Sequence, residues 1–373
     1  MFEKDLDALN AVFDAANRKA IDKLGKINIL VAGLAGVGKS TLINAVFGQS
    51  VAITGTGFSQ TQKIEAHENP NSPLRIYDTR GFEIANSQAT VGAVRDCIQR
   101  LRGSTDANDQ IHITWTCVLE QSHRIEPVHQ NLLSLIRSLS VPSIVVITQA
   151  FGEAEMEQKV RELAVPNDGV IPVLAEPKTL AGHTLPVRGV DELVQRSMHL
   201  VPQAHRAAFI AAQTACWDLK EAEIAKIINR NSMLAAGSAL IPVPGGHSVA
   251  LIGLQAALIA EINAILGISL KDEGSKEVAK GLFGILFAKM GGTLVFTEAM
   301  KAVPVVGWFG AALIGGPIGG AATKAFGHLY YKTVSEYARR NLPLPPPEIL
   351  AHDMERTYEA RKGYFEALAR EPV

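Results

Sequence analysis

Eight residues constrain this chain more than any others: GLAGVGKS at 33 to 40, preceded by the β-branched run INILVA and followed by the helical TLINAVFG. The stretch fits G-x-x-x-x-G-K-[ST] at every position and sits in the strand–loop–helix context that gives the pattern its chemistry. Gly33, Gly36 and Gly38 let the backbone curl so that successive N–H groups, that of Val37 among them, point at phosphate oxygens, and the following helix adds its positive end. In this arrangement Lys39 bridges the outer phosphates, Ser40 ligates Mg²⁺ and Thr41 donates to the inner phosphate.

A second element follows one strand later. DTRG at 78 to 81 closes the run LRIYDT, which places Asp78 at a strand end where it can hold the Mg²⁺ shell, and the amide of Gly81 where it can sense a terminal phosphate. Between the two motifs, TGTGFSQTQKIEAHE is a polar, glycine-rich loop; Thr61 is the expected second protein ligand of Mg²⁺, with Thr54 and Thr56 as rivals.

From Lys26 to about Pro202, short β-branched runs alternate with helical stretches, the pattern of a mostly parallel sheet covered by helices on both faces. The expected strands are 27–33, 74–79, 111–119, 143–149 and 170–175, with KIEAHE at 63 to 68 joining LRIYDT through the turn NPNSP as an antiparallel edge strand. Ligands of such sheets lie at the carboxyl ends of the strands. Beyond Pro202 the chain turns to Ala, Gly, Leu and Ile without strand alternation, which predicts an all-α domain whose first helix buries Ile210, Trp217, Ile224 and Ile228. NLPLPPP at 341 to 347 breaks that domain, and Leu350, Met354, Tyr358, Phe365 and Leu368 mark a final helix. The expected layout is therefore an N-terminal amphipathic helix (1–26), an α/β P-loop NTPase domain (27–203), an apolar helical domain (204–340) and a C-terminal segment (341–373).

Charge and cysteine content narrow the setting. With 36 Lys and Arg against 37 Asp and Glu, no bulk electrostatic case exists for nucleic acid as a partner. Cys97, Cys117 and Cys216 form no C-x-x-C, the pattern of reduced thiols. The first 20 residues are charged throughout, with Phe2, Leu6, Leu9, Phe13, Ala16, Ala20 and Leu24 on one helical stripe, so the expectation is a packing helix in a cytoplasmic protein.

Within 27–202, GLAGVGKS, Thr61, DTRG, SIVVITQ and the PVLA segment fall in the order of the five motifs of the Ras-like GTPases, and the chain resembles their Era-like and septin-related bacterial group. Its layout is similar to a family of bacterial membrane-associated GTPases and to the immunity-related GTPases. The resemblance implies GTP and GDP as ligands, with Thr148, Gln149 and Ala175 around the base. Three departures stand out. Thr148, Gln149, Ala150 and Phe151 occupy the base-recognition motif without its carboxylate, so selectivity for GTP over ATP is expected to narrow; Glu153 and Glu176 are candidate replacements. Phe82 follows DTRG where many relatives orient water with glutamine, which implies slow hydrolysis. Gly36 stands where potassium-stimulated relatives have asparagine, and Arg80 is a candidate to act across a homodimer formed through the nucleotide face.

No charged residue occurs from Asn231 to Ala260 or from Val303 to Ala322. Both runs are long enough to span a bilayer, yet IPVPGGH interrupts the first and Pro304, Pro317 and six glycines fill the second, which suits close helix packing better. IPVPGGHSVALIG and VPVVGWFGAALIG match at seven of thirteen positions, an internal repeat of bends entering helices. The reading is a Mg²⁺-dependent GTPase switch controlling an apolar helical domain, with a membrane surface at the inner face as candidate partner. Its rivals are a binding or membrane-remodelling module with vestigial hydrolysis and an ATP-using P-loop NTPase.

Overall fold

The computed structural model describes residues 2–48, 58–61, 64–69, 72–79, 87–152, 154–162, 166–180, 182–237, 246–268, 273–289 and 316–371. They fall into two compact units, Gly25–Trp217 and a second made of Met1–Leu24 with Asp218–Val373.

The first unit is built on a seven-stranded sheet. Its strands are β1 (Ile27–Gly33), β2 (Phe58–Thr61), β3 (Ile64–Glu68), β4 (Leu74–Thr79), β5 (Ile113–Leu119), β6 (Ser143–Thr148) and β7 (Val170–Val173), in spatial order β2-β3-β4-β1-β5-β6-β7. All seven residues of β1 are buried because both faces of the strand are covered, which is why it reads as a continuous apolar run. β4, β1, β5, β6 and β7 run parallel, so their carboxyl ends share one edge. β3 is antiparallel to β4 as expected, but it is not the sheet edge, since β2 adds a further antiparallel strand outside it. The chain leaves β7 earlier than expected, because Leu174 bridges to Arg188 and a small exposed hairpin, β8 (Lys178–Leu180) with β9 (His183–Leu185), follows.

Helices α2 (Lys39–Phe47), α3 (Ser87–Arg102), α4 (Pro127–Ser138), α5 (Ala154–Glu162), α6 (Val190–Leu200) and α7 (Arg206–Ala212) cover both faces. Val94 and Ile98 of α3 and Leu132 and Ile136 of α4 pack on Leu30 and Tyr77. On the opposite face Phe47 of α2 stacks on Trp115 at 5.7 Å and meets Phe209 of α7 edge-on at 6.3 Å, while the Trp115 indole donates to Ser197 of α6 at 3.0 Å.

Residues 204–217 thus belong to the unit built on the sheet and not to the helical one, and the helix expected through Ile210 and Trp217 is two helices. The buried Gln213 breaks it: its side chain takes both the N–H and the C=O of Cys216 at 2.8 Å, replacing the helical bonds there. The chain resumes as α8 (Trp217–Gly237).

The second unit contains α1 (Phe2–Leu24), most of α8, α9 (Gly246–Leu266), α10 (Glu273–Lys289), α11 (Gly316–Arg339), α12 (Pro347–Ala360) and α13 (Lys362–Leu368). The N-terminal helix is not a separate element: α1 packs along α9, with Lys23 paired to Glu261 at 3.2 Å and Asp14 to Lys280 of α10 at 3.0 Å. The C-terminal segment also belongs here. Leu350, Met354, Tyr358, Phe365 and Leu368 are all buried, but the chain bends at Arg361, so they lie on two helices. α9 is apolar over most of its circumference, with Leu251, Leu258, Ile259 and Ile262 buried. Its buried Gln255 donates to Thr323 of α11 at 2.9 Å and its Asn263 accepts from Tyr330 at 2.8 Å, bonds that fix the register of the two helices. Among the described residues no helix is long and apolar enough to cross a membrane. Most of the internal repeat, residues 241–245 and 303–315, lies outside the described residues.

Candidate nucleotide site

The phosphate loop follows from where β1 must end. Gly33 passes so close to β5 that a Cβ there would stand 2.7 Å from the carbonyl oxygen of Cys117. Gly36 and Gly38 then take φ values of 75° and 94°, conformations that favour glycine, and Gly38 caps α2, accepting from the amide of Leu42 at 3.0 Å. No acidic residue sits in the first turn of α2, so its positive end is unopposed. The Lys39 side chain folds back over the loop and donates to the carbonyls of Gly33 at 3.1 Å and Leu34 at 3.2 Å, only 7 % exposed. Ser40 is exposed and Thr41 half-buried beside it.

Asp78 stands next to Val31 of β1 in the parallel register. Its Oδ1 is buried and has no hydrogen-bond partner among the described residues. Burial pushes the carboxyl pKa up, opposed by the charges of Lys39 and His67. An orphaned carboxylate oxygen within reach of the Lys39 charge fits a hydrated Mg²⁺ ion, which Asp78 and the hydroxyl of Ser40 would hold. No group of three His, Cys, Asp or Glu side chains able to hold a metal occurs among the described residues, so such an ion would draw its other ligands from phosphate and water. Thr61 is the last residue of β2, with its side chain outside the description; Gly81, Arg80, Phe82, Thr54, Thr56 and Glu153 also lie outside the described residues.

The base end is assembled at the carboxyl ends of β6 and β7. Thr148, 3 % exposed, donates its hydroxyl to the carbonyl of Val37 at 2.6 Å, with that of Val118 at 3.2 Å, and so fastens the phosphate loop to β6. Gln149 adopts φ 49°, and its carbonyl accepts from Gln121 at 2.8 Å. The Ala150 amide donates to Val173 at 3.1 Å, the Arg188 guanidinium donates to the Ala150 carbonyl at 3.0 Å, and the buried Glu120 accepts from the Phe151 amide. A pocket opens here, lined by Gly38, Thr41, Gln149, Phe151, Ala175 and Glu176. The structure thus brings Thr148, Gln149 and Ala175 together with the loop. Glu120, Arg188 and Lys178, the last also at the pocket, were missed by sequence reasoning. The position of Glu120 directly after a buried strand was the one available signal.

Residues 28–149 match the family model described as 50S ribosome-binding GTPase. The tRNA modification GTPase MnmE of Janthinobacterium sp. (strain Marseille) is 36% identical over 107 residues, 28% of this chain and 23% of that protein. The probable GTP-binding protein EngB of Rhodopseudomonas palustris (strain TIE-1) is 27% identical over 135 residues, 35% of this chain and 61% of that one. The chain therefore spans less than two thirds of the length of these relatives. A solved structure of a probable GTP-binding protein engB is 18% identical, covers 46% of this chain and 97% of its own, and has a TM-score of 0.30. The family match covers the glycine loop and strands β1 to β6 of the sheet behind it, so this part of the chain is similar to the GTP-binding domains of that family.

Proposed function

We propose that the protein is a Mg²⁺-dependent switch that binds and hydrolyses GTP, its nucleotide state being passed to the helical unit. The observation that carries the reading is the buried Lys39 ammonium lying across a left-handed glycine loop, with the orphaned oxygen of Asp78 close by. On binding, Lys39 exchanges the carbonyls of Gly33 and Leu34 for β- and γ-phosphate oxygens, and the loop amides take the remaining lone pairs. Ser40 and Asp78 would hold Mg²⁺, whose chemistry there would be neutralisation of the phosphate charge. In hydrolysis a water oxygen bonds to the γ-phosphorus as the bond to the β–γ bridging oxygen breaks, giving GDP and phosphate. Phe82 offers no group to orient that water, so the intrinsic rate is slow. Lys39→Ala should abolish calorimetric binding of Mg·GTP while the fold survives; unchanged affinity refutes the reading.

One feature supports the switch. α2 begins at the phosphate loop, and in its last turn the carbonyl of Val46 accepts from the Thr214 amide at 2.8 Å and from its hydroxyl at 3.3 Å. Thr214 lies three residues before the chain leaves this unit, so a shift of α2 on phosphate binding pulls directly on the connector. Hydrogen exchange of the Thr214 amide should differ between a non-hydrolysable GTP analogue and GDP.

A membrane surface is the partner we assign to the helical unit, in a cytoplasmic protein peripheral at the inner face. The pairing of Lys332 with Glu221 and the approach of Gly327 to Ile228 run α8 and α11 antiparallel, which puts the exposed Met233, Leu234 and Ile318 at one end. Liposome flotation that depends on nucleotide supports this; its absence with every nucleotide refutes it. An ATP-using enzyme remains the second reading because Phe151 lines the base pocket where a carboxylate would select guanine.

A further inference from the structure

We propose that Glu176 is the carboxylate that reads the guanine base, from the segment after β7 instead of the loop after β6; the inference rests on the GTP-binding reading above. The argument starts from the base. Guanine presents two adjacent donors, N1–H and N2–H₂, whereas adenine presents one donor and an acceptor along the same edge. A carboxylate only accepts, so it makes two hydrogen bonds to guanine and one to adenine.

The pocket offers few acceptors for that edge. Phe151 presents a ring. Thr148 is committed to the carbonyls of Val37 and Val118, and the Gln149 carbonyl to Gln121. Glu120 is buried and tied to the Phe151 amide, and it does not line the pocket. Glu176 is the one acidic residue lining the pocket among the described residues; it is exposed, and it has no hydrogen bond or ion pair from its side chain among them.

A second observation points the same way. Lys178 lines the same pocket, two residues further on where β8 begins, and its side chain too makes no hydrogen bond or ion pair among the described residues. Opposite charges at one rim that do not pair with each other are both free for a ligand, and guanine offers donors to the carboxylate and O6 to the ammonium. The Arg188 bond to the Ala150 carbonyl and the Leu174–Arg188 bridge hold the segment carrying Glu176 against the loop carrying Phe151.

The test is calorimetric titration of the whole protein with the Mg²⁺ complexes of GTP, ITP, ATP and XTP, for the parent, Glu176→Gln and Lys39→Ala. The parent should bind GTP more tightly than ITP, which lacks the 2-amino donor, and more tightly than ATP. Glu176→Gln should lose about tenfold or more in GTP affinity, leave ATP within about twofold, and gain XTP, whose 2-oxo group accepts from the new amide. An unchanged GTP-to-ATP ratio in Glu176→Gln overturns the proposal, as does an equal loss of all four nucleotides, which would mark a structural role. A parent that binds no guanine nucleotide, or binding indifferent to Lys39→Ala, overturns the GTP-binding reading itself and this inference with it.

Discussion

Replacing Thr148 by valine isolates the bond between the phosphate loop and the sheet. The side chains have the same shape, so no cavity opens, but the hydroxyl that reaches the Val37 carbonyl at 2.6 Å is gone. Two costs follow. A buried carbonyl loses its donor, which costs about 1–3 kcal/mol when nothing replaces it. The new methyl also needs roughly 3.3 Å from that oxygen, so the loop must retreat by about 0.7 Å. The combined expectation is a loss of about 2 kcal/mol in the stability of the nucleotide unit and about tenfold in nucleotide affinity, since the retreat moves amides that must meet phosphate. Urea denaturation without nucleotide and calorimetry with Mg·GDP measure the two separately, and Thr148→Ser, which keeps the hydroxyl, should restore most of both. A valine variant within about 0.5 kcal/mol of the parent, with unchanged affinity, would refute the claim that this hydroxyl holds the loop.

Three further outcomes are expected. Asp78→Asn should stabilise the nucleotide-free protein near neutral pH: burial raises the carboxyl pKa, so above the unfolded value the ionised form opposes folding, and the amide removes that penalty while abolishing the Mg²⁺ dependence of binding; thermal melts and calorimetry with and without Mg²⁺ check both. His112, lowered to about 4 by burial and by His205 stacked on it, should cost stability as pH falls from 6.5 towards 4, because only the unfolded chain protonates there; the loss is roughly 3 kcal/mol, and the acid limb of denaturation curves should flatten in His112→Gln. Phe151→Asp should widen the preference for GTP over ATP in competition binding, since it adds an acceptor at the pocket wall; an unchanged ratio counts against the base site.

What could be read from the amino acids follows from how much each element depends on its own residues. β1 was legible to the residue because a strand covered on both faces must be continuously apolar, and β4 because its alternating run LRIYDT stops at the glycine of DTRG. The phosphate loop was legible because glycine, lysine and hydroxyl all act locally. The hairpin of β8 and β9 was not, since its exposed residues carry no alternation of burial. Ile210, Trp217, Ile224 and Ile228 keep helical spacing across a break made by one glutamine side chain, which no periodicity reports. The stripe on α1 announced a buried face but could not name α9 as its partner. At the base site the absence of an acid at Phe151 was visible, whereas Glu120 and Arg188 act through single bonds to distant backbone.

The division of the chain has a consequence for its synthesis. The nucleotide unit is inserted between α1 and the rest of the helical unit. α1 therefore emerges from the ribosome well before α9, against which it packs and which follows more than two hundred residues later. At about 5–20 residues per second, that is roughly ten to forty seconds during which the stripe carrying Phe13, Ala20 and Leu24 has no native surface to cover it. The nucleotide unit, complete at Trp217, can fold in that interval and bring the ends of its chain into their final places. The helical unit must wait for its last helices, so any factor that shields nascent apolar helices acts on α1 before the protein can have its final form.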